Sequence, residues 1–162
     1  MLLAHPNRPV TYHPPVSEWL DADQQRAWLA FMRVQQRINF EANRQLQADS
    51  GLSLADYDIL NVVVTGPSSI TDMARILGWE RSRVSHHTKR MATRDLVRTR
   101  PHDGDRRITV VEATEAGRQA NRDAAPGHVA LVRQLFFDSL SPQAVRQLGA
   151  ILETVHENLG PP

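Results

Sequence analysis

The stretch SSITDMARILGWERSRVSHHTKRM, residues 68–91, decides how this chain is read. Its first half is a short helical unit: Ser69 is placed to cap it, Asp72 stands three residues on, and Gly78 stops it. Its second half opens another helix, expected over about 81–94, which packs Arg81, Arg83, His86, His87, Lys89 and Arg90 into a few turns. Val84, Thr88 and Met91 recur at helical spacing and form the face that packs on the domain. Ser82, Arg83, His86, Lys89 and Arg90 fall on the opposite surface. Three explanations are open for that cationic face: a solvated helix, a metal site on the paired histidines, or a surface aimed at a polyanion.

Working outward, SLADYDILNVVV (53–64) begins with Ser53 as cap and Asp56 three on, and buries Tyr57, Leu60 and Val64 on one face. Gly66–Pro67 breaks it. Further upstream, Asp21 and Gln24 match a capping box. The run that follows lacks glycine and proline and carries Trp28, Phe31, Met32, Ile38 and Leu46, which predicts a long helix to about Ala48, ended by Gly51. Downstream, LVRTR and RITVVEA flank the turn-forming PHDGD and predict a β-hairpin. Thr114 caps the next helix, for which a kink or break is expected at Pro126–Gly127 before HVALVRQLFFDSL resumes it. Ser141–Pro142 opens the last helix, with apolar positions at Val145, Leu148, Ile151 or Leu152, Val155 and Leu159.

The predicted fold class is therefore mainly α with a small β-hairpin wing: a winged helix-turn-helix with long N- and C-terminal helices. The expected division is a flexible, proline-rich arm over 1–16, an N-terminal dimerisation helix over 17–50, a winged lobe over 51–113 and C-terminal dimerisation helices over 114–162.

Composition narrows the function classes. Of 162 residues, 41% are hydrophobic, enough for a core. The absence of cysteine removes disulfides, thiolate nucleophiles, cysteine-ligated metals and cysteine-based redox sensing. The N-terminus does not read as a signal peptide and no apolar run reaches membrane-spanning length, so a soluble cytoplasmic protein is expected. Net charge is only +1, yet residues 81–107 hold nine basic side chains against three acidic ones. A basic stripe on a nearly neutral chain is the electrostatic footprint of nucleic-acid binding.

In a winged helix-turn-helix the last helix of the turn lies in the DNA major groove. Ser82, Arg83 and His86 are the candidates for base contacts, because arginine presents a bidentate fork to guanine. Lys89 and Arg90 are placed for phosphate, as are the amides near Ser69. Arg81, Ser85 and Arg106 complete the candidate DNA-contact set together with the wing-tip pair named below. Adjacent helical side chains diverge by about 100°, so His86 and His87 do not share one ion easily; His87 is read as half-buried near Val84 and Met91. No metal or cofactor is expected. No nucleophile with a placed base and no phosphate-cradling glycine loop is found, so the chain is not read as an enzyme.

Residues 52–117 resemble the MarR (multiple antibiotic resistance regulator) family, most specifically in MARILG, SRVSHH…RM, the DRR hairpin tip and TEAG. WERSRVSHH resembles a branch of that family common in actinobacteria. The resemblance implies a homodimeric transcriptional regulator, a repressor, bound to a pseudo-palindromic operator on double-stranded DNA. It implies that Asp105 and Arg107 pair at the wing tip and present arginine to the minor groove. It also implies a small aromatic or phenolic effector, for which Trp28 and Tyr57 are candidates against the plainer reading of core packing. Two positions depart from the family pattern: Asp95 stands where glycine is usual, and Glu112–Ala113 replace an apolar pair. Independently of the family, the last helix carries a longer apolar row than a small winged lobe needs, which itself points to a dimer. The alternative is a winged-helix protein-interaction module without DNA binding.

Overall fold

The computed structural model describes residues 19–160; the segment 1–16, expected as an arm, lies outside them. The described residues divide into two compact units, with the boundary between Gln36 and Arg37. In order, the elements are α1 (Ala22–Ser50), α2 (Leu54–Val63), β1 (Ser68–Ser69), α3 (Ile70–Leu77), α4 (Arg81–Thr93), β2 (Val97–Pro101), β3 (Thr109–Ala113), α5 (Glu115–Val132), a π-helical turn (Arg133–Phe137) and α6 (Pro142–Leu159). The chain is mainly helical with a small antiparallel sheet, as the hydrophobic pattern requires.

In the first unit, α1 starts with the capping box read from the sequence: Asp21 accepts the Gln24 N–H at 2.9 Å, and Gln24 accepts the Asp21 N–H at 3.1 Å. Trp28, Leu29, Phe31 and Val34 are exposed there. The core-packing reading of Trp28 is therefore corrected: the residue is exposed, with the ring of its helix neighbour Phe31 at 5.7 Å.

In the second unit, Leu46 from the end of α1 joins Leu52, Ile59, Leu60, Met73, Val84, Met91, Val97 and Val111 in one fully buried cluster. α2 has the expected Ser53 cap, and Asp56 closes it into a capping box by accepting the Ser53 N–H. Its buried face is Tyr57, Ile59, Leu60 and Val63; Val64 is a half-buried cap, because the helix ends one residue before it. α3 is capped by Ser69, whose Oγ accepts the Asp72 N–H, and it stops at Gly78 with φ 63°.

The wing is broader than a hairpin. β1 pairs with β3 at Ser68↔Val111 and Ser69↔Val110, giving a three-stranded sheet of order β1-β3-β2. β2 is an edge strand, which is where Pro101 is tolerated, since a proline cannot donate to a ladder. The expected break at Pro126–Gly127 is not found: α5 runs through Pro126 to Val132. Contacts to α2 hold the helix on either side of the proline, Asn121 Nδ2 donating to Asn61 Oδ1 at 2.8 Å before it and His128 stacking on Tyr57 at 4.8 Å after it. The departure from α-geometry comes later, in the π turn. α6 opens with Ser141 as cap and Pro142 in its first turn, and none of its residues is buried. Among the described residues no helix is long and apolar enough to cross a membrane.

Candidate nucleic-acid interface

α4 is fixed from beneath and at both ends. Val84, Thr88 and Met91 are its buried residues, and the Thr88 hydroxyl is satisfied by donating to Val84 O at 3.0 Å. The turn before it is a Schellman-type closure, with the Trp79 N–H donating to Ala74 O at 2.9 Å. At the far end, Arg94 donates to Asp56 Oδ2 and to Gly51 O, each at 2.7 Å. Asp56 is nearly buried and also accepts the Ser53 N–H, so one carboxylate joins the start of α2 to the end of α4. The chain leaves α4 through Asp95, which is left-handed at φ 55°. That is the conformation that favours glycine, and Asp is among the residues that tolerate it best.

Ion pairing sorts the nine cations of residues 81–107. Arg94 pairs with Asp56, Arg98 with Glu112 at 3.0 Å, and Arg100 with both Glu112 and Asp103. Glu112, a departure from the family pattern, thus bridges two wing arginines, and the Arg98 hydrogen bond holds its carboxyl below the usual range. Arg107 lies against Asp105 through Nε at 3.0 Å and Nη2 at 2.9 Å. The same contact lowers the Asp105 pKa and raises that of Arg107. Among the described residues Arg81, Arg83, Lys89, Arg90 and Arg106 have no carboxylate within 4.0 Å. All five are exposed.

The sequence candidates do not fall in one place. Arg81, Ser82, Ser85 and Arg107 line one cleft of about 440 Å³ with Ile70, Thr71, Ile108 and Thr109, so the start of α3, the start of α4 and the wing meet there. His86, Lys89 and Arg90 are exposed along the outward face of α4, and Arg106 is exposed in the wing loop. Arg83 lies to one flank, its guanidinium 3.9 Å above the Trp79 ring. Ser69 is engaged at the base of α3, its hydroxyl donating to Asp72 Oδ2 at 2.7 Å. His87 is half-buried as expected, but its aromatic neighbours are Trp79, 5.8 Å away between centroids, and His86. Burial holds its pKa down, helped by Arg83, Arg90 and His86 and opposed by Asp56.

Trp79 is the residue that sequence reasoning missed. The available signal was an aromatic four residues before an arginine, immediately after a helix stop. The effector candidates separate: Tyr57 is packed in the core and Trp28 is exposed, and neither lines the 440 Å³ cleft or a second of about 370 Å³ between His128 and Phe137.

A family model described as the MarR family matches residues 50–108. The structure is similar to AbsC, a MarR family transcriptional regulator from Streptomyces coelicolor, at 32% identity and TM-score 0.81, over 88% of this chain and 97% of that one. It is also similar to Sco3205, a MarR family transcriptional regulator from the same organism solved in complex with DNA, at 32% identity and TM-score 0.84, over 89% of this chain and 92% of that one. A mutant E. coli MarR complexed with operator DNA shares the fold at 17% identity and TM-score 0.73, over 84% of this chain and 99% of that one. No curated protein sequence matches the chain.

Proposed function

The chain belongs to the MarR family of transcriptional regulators, and from that premise we propose that it binds double-stranded DNA sequence-specifically as a homodimer and represses the gene it controls. α4 enters the major groove and the β2–β3 wing lies at the minor groove, with residues 17–50 and 114–162 forming the dimer and 51–113 the DNA-binding lobe. The observation that carries this reading is the set of exposed cations without carboxylate partners on α4, flanked by a wing loop with exposed Arg106. Unpaired arginines and lysines on one face neutralise phosphates and release counterions. The cleft shared by Arg81, Ser82, Ser85 and Arg107 supports contacts from helix and wing to neighbouring parts of one duplex. Two-fold symmetry predicts a pseudo-palindromic operator with half-sites about one helical turn apart. A small aromatic effector completes the reading; its support is the family resemblance alone.

The test is selection of duplexes from a random-sequence pool, followed by titration of the selected duplex over a salt series. Arg90→Ala is expected to weaken the selected and scrambled duplexes alike and to reduce the salt slope by about 1. A wild-type protein that selects nothing, or whose binding ignores salt, overturns the DNA-binding reading and leaves the protein-interaction module.

A further inference from the structure

Arg83 is the cation of α4 that lies over an aromatic ring. Its place follows from the turn. Gly78 adopts the left-handed conformation and Trp79 donates its N–H back to Ala74 O, so the backbone carrying the indole is closed onto α3. The ring itself is half-buried and packs against the hydrophobic core. Trp79 is therefore fixed at both backbone and side chain, and it stands four residues before Arg83. The guanidinium lies 3.9 Å above it while Arg83 remains exposed. His87, one turn beyond Arg83, sits by the same indole at 5.8 Å. Lys89 and Arg90 have no such support; they are free to follow a phosphate, whereas Arg83 is held in one place.

We propose that Trp79 is a positioning residue for sequence readout: its indole face pre-orients the Arg83 guanidinium, so that DNA discrimination depends on a residue that does not itself touch the duplex. A free arginine loses much rotamer freedom on docking, and one already stacked loses less. The stack preserves the charge and leaves the edge of the planar guanidinium, with its N–H donors, available to a base. Trp79 therefore favours the specific complex over the nonspecific one, since a nonspecific phosphate contact does not require a fixed fork. This inference rests on the DNA-binding reading above.

The experiment compares wild type, Trp79→Phe, Trp79→Leu, Arg83→Ala and the double variant Trp79→Leu/Arg83→Ala on two duplexes, the one selected by wild type and its scrambled counterpart. Trp79→Leu is expected to weaken the selected duplex by about three- to thirty-fold, with the scrambled duplex and the salt slope unchanged. Trp79→Phe, which keeps a weaker ring face, recovers part of the loss. In the Arg83→Ala background the Trp79→Leu loss disappears. In the free wild-type protein the Arg83 side-chain protons resonate upfield of their random-coil positions, a readout that needs no variant of Trp79 to fold. Equal losses on both duplexes, an undiminished Trp79→Leu loss without Arg83, or unshifted Arg83 protons overturn the proposal while DNA binding stands. A wild type that selects no duplex overturns both.

Discussion

Gly117, the glycine of TEAG, owes its place to a contact that its neighbours in sequence do not reveal. A Cβ there would fall 1.9 Å from Leu96 O and 2.9 Å from the Leu96 carbonyl carbon, with Leu60 Cδ2 at 3.2 Å. Leu96 leads from α4 into β2, and its carbonyl also accepts the Thr114 N–H. The Thr114 hydroxyl donates to Asp95 O one residue earlier. The first turn of α5 thus clamps the point where α4 turns into the wing, and backbone cannot retreat there without moving both. Gly117→Ala is expected to cost about 3 kcal/mol or more, because the overlap is with main chain rather than with a flexible side chain. Gly127→Ala is the control: its Cβ would meet only the ends of Gln45 and Asp49, at 2.8 and 3.0 Å, and alanine favours the helix. Urea denaturation of the two variants checks the contrast, and equal losses would refute the clamp.

The seam between α2 and α5 joins Asn61 to Asn121 and Tyr57 to His128. The His128 Nδ1 atom is buried and has no hydrogen-bond partner among the described residues. Burial accordingly pushes the His128 pKa below the ordinary 6.5. The unfolded chain then takes up this proton at a higher pH than the folded one, so stability falls as pH drops through 6.5 until folded His128 also titrates. His87 contributes in the same direction. His128→Phe, which keeps a ring against Tyr57, is expected to flatten the loss of stability between about pH 7 and 5 by up to about 1.4 kcal/mol per pH unit. An unchanged pH profile in thermal melts would remove His128 from the account. Such seams also mark the limit of what sequence can show. Caps are local, so Ser53–Asp56, Ser69–Asp72 and Gly78 were readable, as was the buried row Val84, Thr88, Met91. β1 was not, since a two-residue strand has no alternation to detect. That α5 runs unbroken through Pro126 was not to be foreseen from the sequence there, because the contacts that brace α5 on either side of it come from α2, sixty or more residues away. The candidate contacts were legible as a charged face, but the Trp79 stack required knowing which way the turn points its indole.

At the scale of the whole molecule, the question is what covers the apolar residues that this chain leaves exposed. α6 exposes Ile151, Leu152, Val155 and Leu159, and in the first unit α1 exposes Trp28, Leu29, Phe31 and Val34. Apolar rows of this length mark contact surfaces, and a two-fold dimer is the closed arrangement that buries the same surface on each copy. The proposed dimer would also raise affinity: two lobes on one duplex make the second contact intramolecular, which multiplies affinity well beyond that of one lobe. Replacing both Leu152 and Val155 by glutamate places two charges on the α6 row without touching the buried cluster, which contains no α6 residue. The double variant is expected to sediment as a monomer with its helical circular dichroism retained, where wild type sediments as a dimer. Its affinity for the selected pseudo-palindromic duplex is expected to drop by about 100-fold or more, while a duplex carrying one half-site is bound as wild type binds it. A monomeric wild type, or a variant that still dimerises with equal strength, would place the interface elsewhere; a monomeric variant that holds the full duplex unchanged would show that one lobe suffices.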